Sequence, residues 1–428
     1  MRRAVGPGRP LVGECSVPGD KSITHRALLF GAIASGDTVV QGYLESGDSR
    51  ATIGALTALG VSVEPAGTDR LVVHGRGLQG LHEPDDVVDC LGSGTTMRLL
   101  AGLVSGCDFT TVLTGRDALR RRPMDRVVEP LRRMGARIIG RSGGRLAPLA
   151  IGGGNLHGIE YDLPVASAQV KSALLLAGLQ ANGPTMVTEP APTRDHSERM
   201  LRAMGVAVES QAGRIRIEPA DMLRPLEIAV PGDLSSAAFL VAAALLVSGS
   251  RLRLNGVGIN PTRAGFIDIA RAMGGELTLE NACESGGEPV ADIVVSSCSL
   301  RGVRVQGALI PLAIDELPLV AVLGTQAEGV TEVREAAELR VKESDRIAGL
   351  VHELRALGAR IEELPDGYLV EGPTRLHGGR VEAHGDHRLA MCLAIAGLVA
   401  DGPVEIEGAE IVSESFPAFF DLLENLRQ

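Results

Sequence analysis

The chain repeats one pattern six times, and this periodicity limits the possible folds more than any other feature. An apolar helical segment ends in glycine at positions 66 to 80 residues apart, namely Gly36, Gly106, Gly183, Gly249, Gly329 and Gly402. Glycine directly after a helix is a common C-terminal cap. A period in this range predicts an array of six supersecondary units of about 70 residues each.

A second helix in each unit also ends in glycine and is followed by alternating apolar residues, which predicts a strand. The segments are 55–63, 131–138, 201–208, 270–274 and 354–361, with a truncated sixth copy at 421–426. The first helices are apolar on every side, as in 237–246 and 390–398, so we expect them to be fully buried. The second, amphipathic helices are expected to lie outside.

Two similar segments divide the six units into groups of three. Residues 17–22 read Val-Pro-Gly-Asp-Lys-Ser, and residues 230–236 read Val-Pro-Gly-Asp-Leu-Ser-Ser, each just before an apolar helix. We therefore predict an α/β (α+β) protein with two domains, one spanning 19–231 and the other built from 1–18 plus 232–428. The junctions would be hinges, although Pro-Gly is also a common turn.

Composition and charge disfavour several classes of protein. The formal net charge is −11 and only 2% of residues are aromatic, which disfavours nucleic-acid and anionic-membrane partners. The six cysteines form no C-x-x-C pair and have no histidine at zinc-finger spacing, so we expect neither a metal site nor disulfides. The residues after Met1 do not form an apolar leader pattern and no apolar run reaches membrane-spanning length, so we expect no export or membrane signal and a cytoplasmic protein.

Polar residues concentrate where each apolar helix begins. Lysine or arginine in a first helical turn, beside unpaired N–H groups, makes an anion site. The serines and Asp233 are expected to be caps rather than ligands. Lys21, Arg26, Arg98 and Arg388 are not capping residues. If the buried helices of each domain run parallel, the two sets of N-termini would enclose an electropositive cleft that suits a small polyanion.

Two further basic clusters lie at 119–124 and 338–346. Glu338, Lys342 and Arg346 are four residues apart, which on a helix would place all three on one face. A solvated, ion-paired helix is the alternative to a binding role.

Several motifs, in order along essentially the whole chain, closely resemble those of the 5-enolpyruvylshikimate-3-phosphate synthase family. They are Asp20-Lys21-Ser22-x-x-x-Arg26, Gly94-Thr95-x-Met97-Arg98, Arg122-Pro123-Met124, Ser167-x-Gln169, Asp315-Glu316, Arg340-Val341-Lys342-Glu343-Ser344-Asp345-Arg346 and Asp386-His387-Arg388.

The resemblance implies the two-domain enolpyruvyl transferase fold, with six βαβαββ units, parallel buried helices and an active site in the cleft between the domains. It implies transfer of the enolpyruvyl group of phosphoenolpyruvate to the 5-hydroxyl of shikimate 3-phosphate, through a tetrahedral intermediate and with release of phosphate. This reaction belongs to the shikimate pathway of aromatic amino-acid biosynthesis. No metal or organic cofactor is implied, and we expect a monomer.

The resemblance also implies roles for individual residues. Shikimate 3-phosphate would be held by Lys21, Ser22, Arg26, Ser167, Ala168, Thr193, Asp315 and Lys342. Phosphoenolpyruvate would be held by Lys21, Gly94, Arg122, Gln169, Glu343, Arg346 and Arg388. The candidate catalytic residues are Asp315 as base, Glu343 as acid, and Lys21 and Lys342 as proton shuttles, with the assignment among them open.

The chain departs from the family pattern at a few positions. Leu91-Gly92 stands where the family usually has Gly-Asn, Ala168 replaces a serine, and Glu414 replaces a lysine. We expect the change at Leu91 to alter the phosphoenolpyruvate pocket and its discrimination against glyphosate, which occupies that pocket in the family.

Two rival functions remain. The sister enzyme that acts on UDP-N-acetylglucosamine has Lys-Asn where this chain has Lys21-Ser22, and a loop cysteine that 116–124 lacks. A non-catalytic ring such as a sliding clamp also repeats an αβ unit six times, but its basic helices face DNA. Here the cations cluster at helix starts.

Overall fold

The structure, a computed structural model that describes residues 1–427, alternates short strands with helices along the whole chain. Its strands, in chain order, are β1 Arg2–Val5, β2 Val12–Cys15, β3 Asp37–Gln41, β4 Val63–Pro65, β5 Arg70–His74, β6 Val88–Asp89, β7 Thr110–Thr114, β8 Arg137–Gly140, β9 Leu146–Gly152, β10 Glu160–Asp162, β11 Thr185–Thr188, β12 Val208–Gln211, β13 Arg214–Ile217, β14 Glu227–Ala229, β15 Arg251–Gly258, β16 Glu276–Ser285, β17 Glu288–Ser296, β18 Arg304–Val305, β19 Gly329–Val333, β20 Arg360–Leu364, β21 Gly367–Gly372, β22 Gly379–Glu382 and β23 Val404–Glu407.

The helices fall between these strands. They are α1 Lys21–Ala32, α2 Gly47–Ala58, α3 Gly94–Val104, α4 Asp117–Arg120, α5 Asp125–Arg133, α6 Arg141–Gly144, α7 Ala168–Gly178, α8 His196–Ala203, α9 Leu234–Leu246, α10 Gly265–Ala272, α11 Leu309–Ala313, α12 Leu317–Gln326, α13 Arg346–Ala356, α14 His387–Val399 and α15 Phe419–Asn425. Short 3₁₀ turns lie at Ala337–Val341 and Ala409–Glu414.

The chain forms two compact units. The first unit contains Gly19–Val230 together with Glu284–Glu288. The second unit contains Met1–Pro18, Pro231–Cys283 and Pro289–Gln428.

The first unit contains three four-stranded sheets of the same design. Their strand orders are β14-β3-β5-β4, β6-β7-β9-β8 and β10-β11-β13-β12. In each, the first two strands are parallel and the other pairings are antiparallel. Strand β14, near the end of this stretch of chain, pairs with β3 of its first repeat, with Glu227 opposite Val39. The end of the segment therefore completes the sheet at its beginning.

The second unit contains the remaining sheets, ordered β16-β17-β15-β2, β18-β19-β21-β20 and β1-β23-β22. Each again includes one parallel pair, as between β2 and β15. Strand β2 thus forms the parallel edge strand in the sheet of the fourth repeat, as β14 does in the sheet of the first repeat.

One helix of each repeat is buried, as predicted from its apolar sequence. These helices are α1, α3 and α7 in the first unit and α9, α12 and α14 in the second. In α9, all residues from Leu234 to Leu245 are buried. Each unit packs its own apolar core, built mainly from Ala, Leu, Val and Ile, which matches a chain without tryptophan.

The predicted capping roles are confirmed for Asp233, Ser93 and Ser167, but Asp20 rather than Ser22 caps α1, and Ser235 and Ser236 lie inside α9 and are not its caps. Asp20 accepts a hydrogen bond from the backbone N–H of Ile23, and Asp233 accepts one from Ser236 in the same way. Ser93 and Ser167 cap α3 and α7. These caps satisfy backbone donors at the buried helix starts. They therefore fix the backbone from which charged side chains such as Lys21 and Arg98 project.

Candidate active site

In the first unit, Lys21 is the first residue of α1. Its Nζ lies 3.2 Å from Oδ2 of Asp48, on α2, and its side chain is 19% exposed. The carboxylate fixes the ammonium of this first helical residue, and the backbone N–H groups of the helix start add positive potential. A role for Lys21 in anion binding stays a prediction.

Arg26, one turn further along α1, is only 2% exposed. Its Nε and Nη2 each donate at 2.7 Å, to the hydroxyls of Ser197 and Ser172, and its Nη1 donates to the Ser22 carbonyl at 2.8 Å. Burial lowers the pKa of Arg26 to about 10, so the side chain is still charged at neutral pH. Neutral hydroxyls fix the guanidinium without cancelling its charge.

Gly94 begins α3 at a point where two arginines converge. A Cβ built on Gly94 would lie 2.9 Å from Nη1 of Arg122 and 3.0 Å from Nη1 of Arg98. A helix N-terminus beside two guanidinium groups is a site suited to phosphate or carboxylate. A side chain at this position would displace the end of the Arg122 side chain.

Gln169, on α7, connects this site to a neighbouring helix. Nη1 of Arg98 donates to its Oε1 at 2.6 Å, and its Nε2 donates to Oγ1 of Thr95 at 2.9 Å. Arg98 also donates to the Pro123 carbonyl at 3.1 Å, next to Arg122. Arg98 therefore orients the predicted ligands Gln169 and Arg122, a role that the motif alone does not specify.

The segment between β11 and α8 carries Thr193 and Arg194. The Thr193 hydroxyl donates to the Glu189 carboxylate. Nη1 of Arg194 donates to Oγ of Ser22 at 3.3 Å. The sequence motifs indicate Thr193 but not Arg194. Arg194 is the cation that contacts Ser22, a residue predicted to bind shikimate 3-phosphate. A single arginine in a loop gives no local signal of this kind.

A buried charge cluster supports this segment. Nζ of Lys171 lies 3.1 Å from Oε1 of Glu189 and 2.6 Å from Oε1 of Glu198, and all three side chains are 5% exposed or less. Burial raises the pKa of Glu189, while Lys171 opposes the shift. The cluster joins α7, with Ser167 and Ala168 at its start, to the loop that carries Thr193.

In the second unit, Arg346 is surrounded by three carboxylates and is 1% exposed. Its Nε donates to Asp386 at 2.7 Å, its Nη2 to Glu343 at 2.6 Å and its Nη1 to Asp315 at 3.2 Å. Burial acts to lower the pKa of Arg346, but the three carboxylates outweigh it and raise that pKa. Arg346 is therefore a permanently charged centre of this group.

Asp315 lies between two arginines. Besides Arg346, Nη2 of Arg388 approaches its Oδ2 at 3.6 Å. Nη1 of Arg388 lies 4.0 Å from Oε1 of Glu316, which is 1% exposed. The structure thus brings Asp315, Glu343, Arg346 and Arg388, four of the candidate site residues, together in one cluster.

Glu338, Lys342 and Arg346 do not lie on a single helix, so they do not share one helical face. A 3₁₀ turn ends at Val341, and α13 begins at Arg346 with Asp345 as its cap. The cap interrupts the helix because its side chain accepts from the Ala348 N–H. Lys342 therefore lies in the connection, where loss of solvation lowers the pKa of its ammonium and the Asp315 charge opposes that shift.

Within residues 1–427, no three or more His, Cys, Asp and Glu side chains are grouped so that they could hold a metal ion. None of the helices in the same range is both long enough and apolar enough to cross a membrane.

Comparison with known proteins places the chain in a family. Residues 5–423 match the family EPSP synthase (3-phosphoshikimate 1-carboxyvinyltransferase). The 3-phosphoshikimate 1-carboxyvinyltransferase of Pelobacter propionicus is 52% identical over 424 residues, which cover 99% of this chain and 98% of that protein.

Solved structures of enolpyruvyl transferases resemble this chain as well. EPSP synthase from Acinetobacter baumannii aligns with a TM-score of 0.89 at 45% identity and covers 100% of this chain and 98% of its own. The enolpyruvyl transferase NikO from Streptomyces tendae, at 20% identity, shares the fold with a TM-score of 0.79, over 99% of this chain and 96% of its own. The predicted fold class is thereby confirmed, and the chain belongs to the EPSP synthase (3-phosphoshikimate 1-carboxyvinyltransferase) family.

Proposed function

We propose that this chain transfers the enolpyruvyl group of phosphoenolpyruvate to the 5-hydroxyl of shikimate 3-phosphate and releases phosphate. Family membership over residues 5–423 supports the reaction class. The observation that carries the proposal is the start of α3, where the guanidinium groups of Arg122 and Arg98 both closely approach Gly94. Both substrates carry a phosphate and a carboxylate, the groups that arginine pairs bind best.

The first unit supplies cations and hydroxyls to both substrates in this proposal. Ser22, Arg26, Ser167, Ala168 and Thr193 hold shikimate 3-phosphate, and we add Arg194 because it already contacts Ser22. Gly94, Arg122 and Gln169 hold phosphoenolpyruvate. Lys21 contacts both substrates, and Asp48 keeps its ammonium in place.

The second unit supplies the acid–base groups. Asp315 accepts the proton of the 5-hydroxyl, and Lys342, whose pKa is lowered, can hold or release a proton beside it. Glu343 delivers the proton to the methylene carbon of phosphoenolpyruvate. Arg346 and Arg388 bind that substrate's anionic groups and stabilise the negative charge on departing phosphate.

The chemistry proceeds in two steps. First, the 5-hydroxyl oxygen bonds to C2 of phosphoenolpyruvate while C3 takes up a proton and becomes a methyl group. The tetrahedral adduct then loses a proton from that methyl group and breaks its bond from C2 to the phosphate oxygen. The products are an enolpyruvyl ether and inorganic phosphate, so atoms and charge balance without a redox partner.

The two rival functions are not favoured. The matched family and the named relatives are 3-phosphoshikimate 1-carboxyvinyltransferases rather than UDP-N-acetylglucosamine enzymes or clamps. The location of the active site in a cleft between the domains, a monomeric state, a cytoplasmic location and the lack of a nucleic-acid partner stay predictions.

Phosphate release tests the proposal. Purified protein is incubated with phosphoenolpyruvate alone, with added shikimate 3-phosphate, or with added UDP-N-acetylglucosamine. We expect release only with shikimate 3-phosphate. Equal release in all three mixtures, or release that depends on the nucleotide sugar, would refute the assignment.

A further inference from the structure

A chain of buried hydrogen bonds connects α1 to α3 in the first unit. Nδ1 of His25 lies 2.7 Å from Oγ1 of Thr52, which lies 2.7 Å from Oγ1 of Thr96. Oγ1 of Thr96 donates to Oγ of Ser93 at 2.8 Å. The four side chains are at most 1% exposed. Thr52, on α2, is thus the link between the two helix starts.

The proton positions in this chain follow from its last bond. Because the Thr96 hydroxyl proton goes to Ser93, the Thr52 hydroxyl must donate to Thr96. The oxygen of Thr52 can then only accept from His25, whose Nδ1 must carry the proton. Nε2 of His25 is left without hydrogen, and in residues 1–427 it has no hydrogen-bond partner although it is buried. Burial lowers the pKa of His25 to about 4, which keeps the ring neutral.

Helix α2 contacts α1 at a second point, one turn earlier. Asp48 and Thr52 are four residues apart on α2, and their partners Lys21 and His25 are four apart on α1. Residues at this spacing share one face of a helix. An ion pair and a hydrogen bond therefore set the position of α1 against α2, and the Thr96 contact extends the link to α3.

We propose that Thr52 is a positioning residue for phosphoenolpyruvate, because its hydroxyl fixes α1, which carries Lys21, relative to α3, which carries Gly94. The inference rests on the proposed function. An anion held by two helix starts needs them at a fixed separation, and small misplacement weakens binding sharply. The chain of hydrogen bonds from His25 through Thr52 and Thr96 to Ser93, called the relay below, consists of neutral groups. It therefore fixes this geometry without adding a charge that competes for the ligand.

Thr52→Val tests the role, since valine keeps the volume and removes both hydrogen bonds. We expect the KM for phosphoenolpyruvate to rise about five- to tenfold, with a change of less than about twofold in the KM for shikimate 3-phosphate. Thr52→Ser keeps the hydroxyl and should restore the KM to within about twofold. Thr57→Val, an exposed threonine on the same helix that donates to Ile53, is the matched control and should change neither constant.

A purely structural role would instead lower the melting temperature of Thr52→Val and leave both KM values unchanged, which would overturn the proposal. An equal KM increase in Thr52→Ser would also overturn it, because the hydroxyl would then not be the important group.

Nitrogen-15 NMR of histidine-labelled wild-type protein provides a readout that does not need turnover or the valine variant. We expect His25, assigned through His25→Asn, to be the neutral Nδ1–H tautomer and its signals to shift when phosphoenolpyruvate is added. A proton on Nε2, or signals that do not respond, would contradict the relay. If wild-type protein releases no phosphate, the proposed function fails, and this response still decides whether the relay is connected to an anion site.

Discussion

Arg346 donates a hydrogen bond from Nη1 to Oδ1 of Asp315 at 3.2 Å. The same guanidinium is also bound by Glu343 and Asp386, so its position does not depend on Asp315 alone. In the proposed reaction, Asp315 would therefore act as a base while the cation beside it stays in place. This separation of roles makes Asp315 a residue whose removal should affect catalysis far more than folding.

Replacement of Asp315 by Asn should lower kcat by about 10²- to 10⁴-fold, the usual contribution of a general base. The free energy of unfolding should fall by no more than about 2 kcal/mol, since Arg346 keeps two carboxylate partners. Asp401→Asn makes the same chemical change at an exposed ion pair with Arg375 and should leave kcat unchanged. Steady-state kinetics and urea unfolding of both variants provide the check. If the Asp315→Asn enzyme kept the wild-type kcat, Asp315 would not be the general base.

Replacement of Gly94 by Ala should raise the KM for phosphoenolpyruvate about tenfold. The new methyl group would lie 2.9 Å from Nη1 of Arg122, so the end of this side chain must shift while the backbone stays. Gly54→Ala on α2, with open space around its Cβ, is the matched control. It should stabilise the helix by about 0.5–1 kcal/mol without changing the KM. An unchanged KM in Gly94→Ala would show that the guanidinium does not bind there.

The stability of the protein should depend on His25 between pH 6.5 and pH 4. Burial lowers the pKa of this ring from 6.5 to about 4 in the folded state. In that interval the unfolded chain binds a proton that the folded chain does not, so stability falls as the pH falls. The loss amounts to roughly 3 kcal/mol over the whole interval.

His25→Asn keeps a hydrogen-bond donor but cannot titrate. Urea unfolding at pH 7 and pH 4 should therefore show a smaller loss of stability in the variant than in wild-type protein. The same loss in both proteins would mean that His25 is not buried in its neutral form.

Leu91 has a positive φ of 49°, a conformation that favours glycine. A left-handed backbone costs other residues roughly 1–2 kcal/mol. Leu91→Gly should therefore cost at least about 1 kcal/mol less than Leu226→Gly, a change at another partly buried leucine, which is not among the residues with positive φ. Thermal or urea unfolding of the two variants measures this difference, and an equal loss would argue against strain at Leu91. The expected effect of Leu91 on glyphosate discrimination stays a prediction.

Much of the fold follows from local sequence. Helices such as α9 are apolar on all sides and end near glycine, so their burial could be predicted without knowledge of their neighbours. The pairing of β14 with β3, and of β2 with β15, could not be predicted. These strands are short and far apart in the chain, and their register is set by tertiary packing.

The candidate site divides in the same way. Lys21 and Arg388 can be selected from the sequence because a cation at a helix start is unusual. Arg194 and Thr52, whose roles we propose, cannot, because an arginine in a loop and a threonine in a helix are ordinary and only the fold brings them to Ser22 and His25. The four-residue spacing around Lys342 is compatible with one continuous helix, but Asp345 caps a new helix within it.

The most direct test of the central claim is to follow the reaction in D₂O by NMR, with phosphoenolpyruvate and shikimate 3-phosphate as substrates. Addition followed by elimination passes through a methyl group at C3. We therefore predict an enolpyruvyl ether of shikimate 3-phosphate, with deuterium in its methylene group, formed in step with inorganic phosphate. Formation of pyruvate and phosphate without the ether, or an ether free of deuterium, would contradict the account.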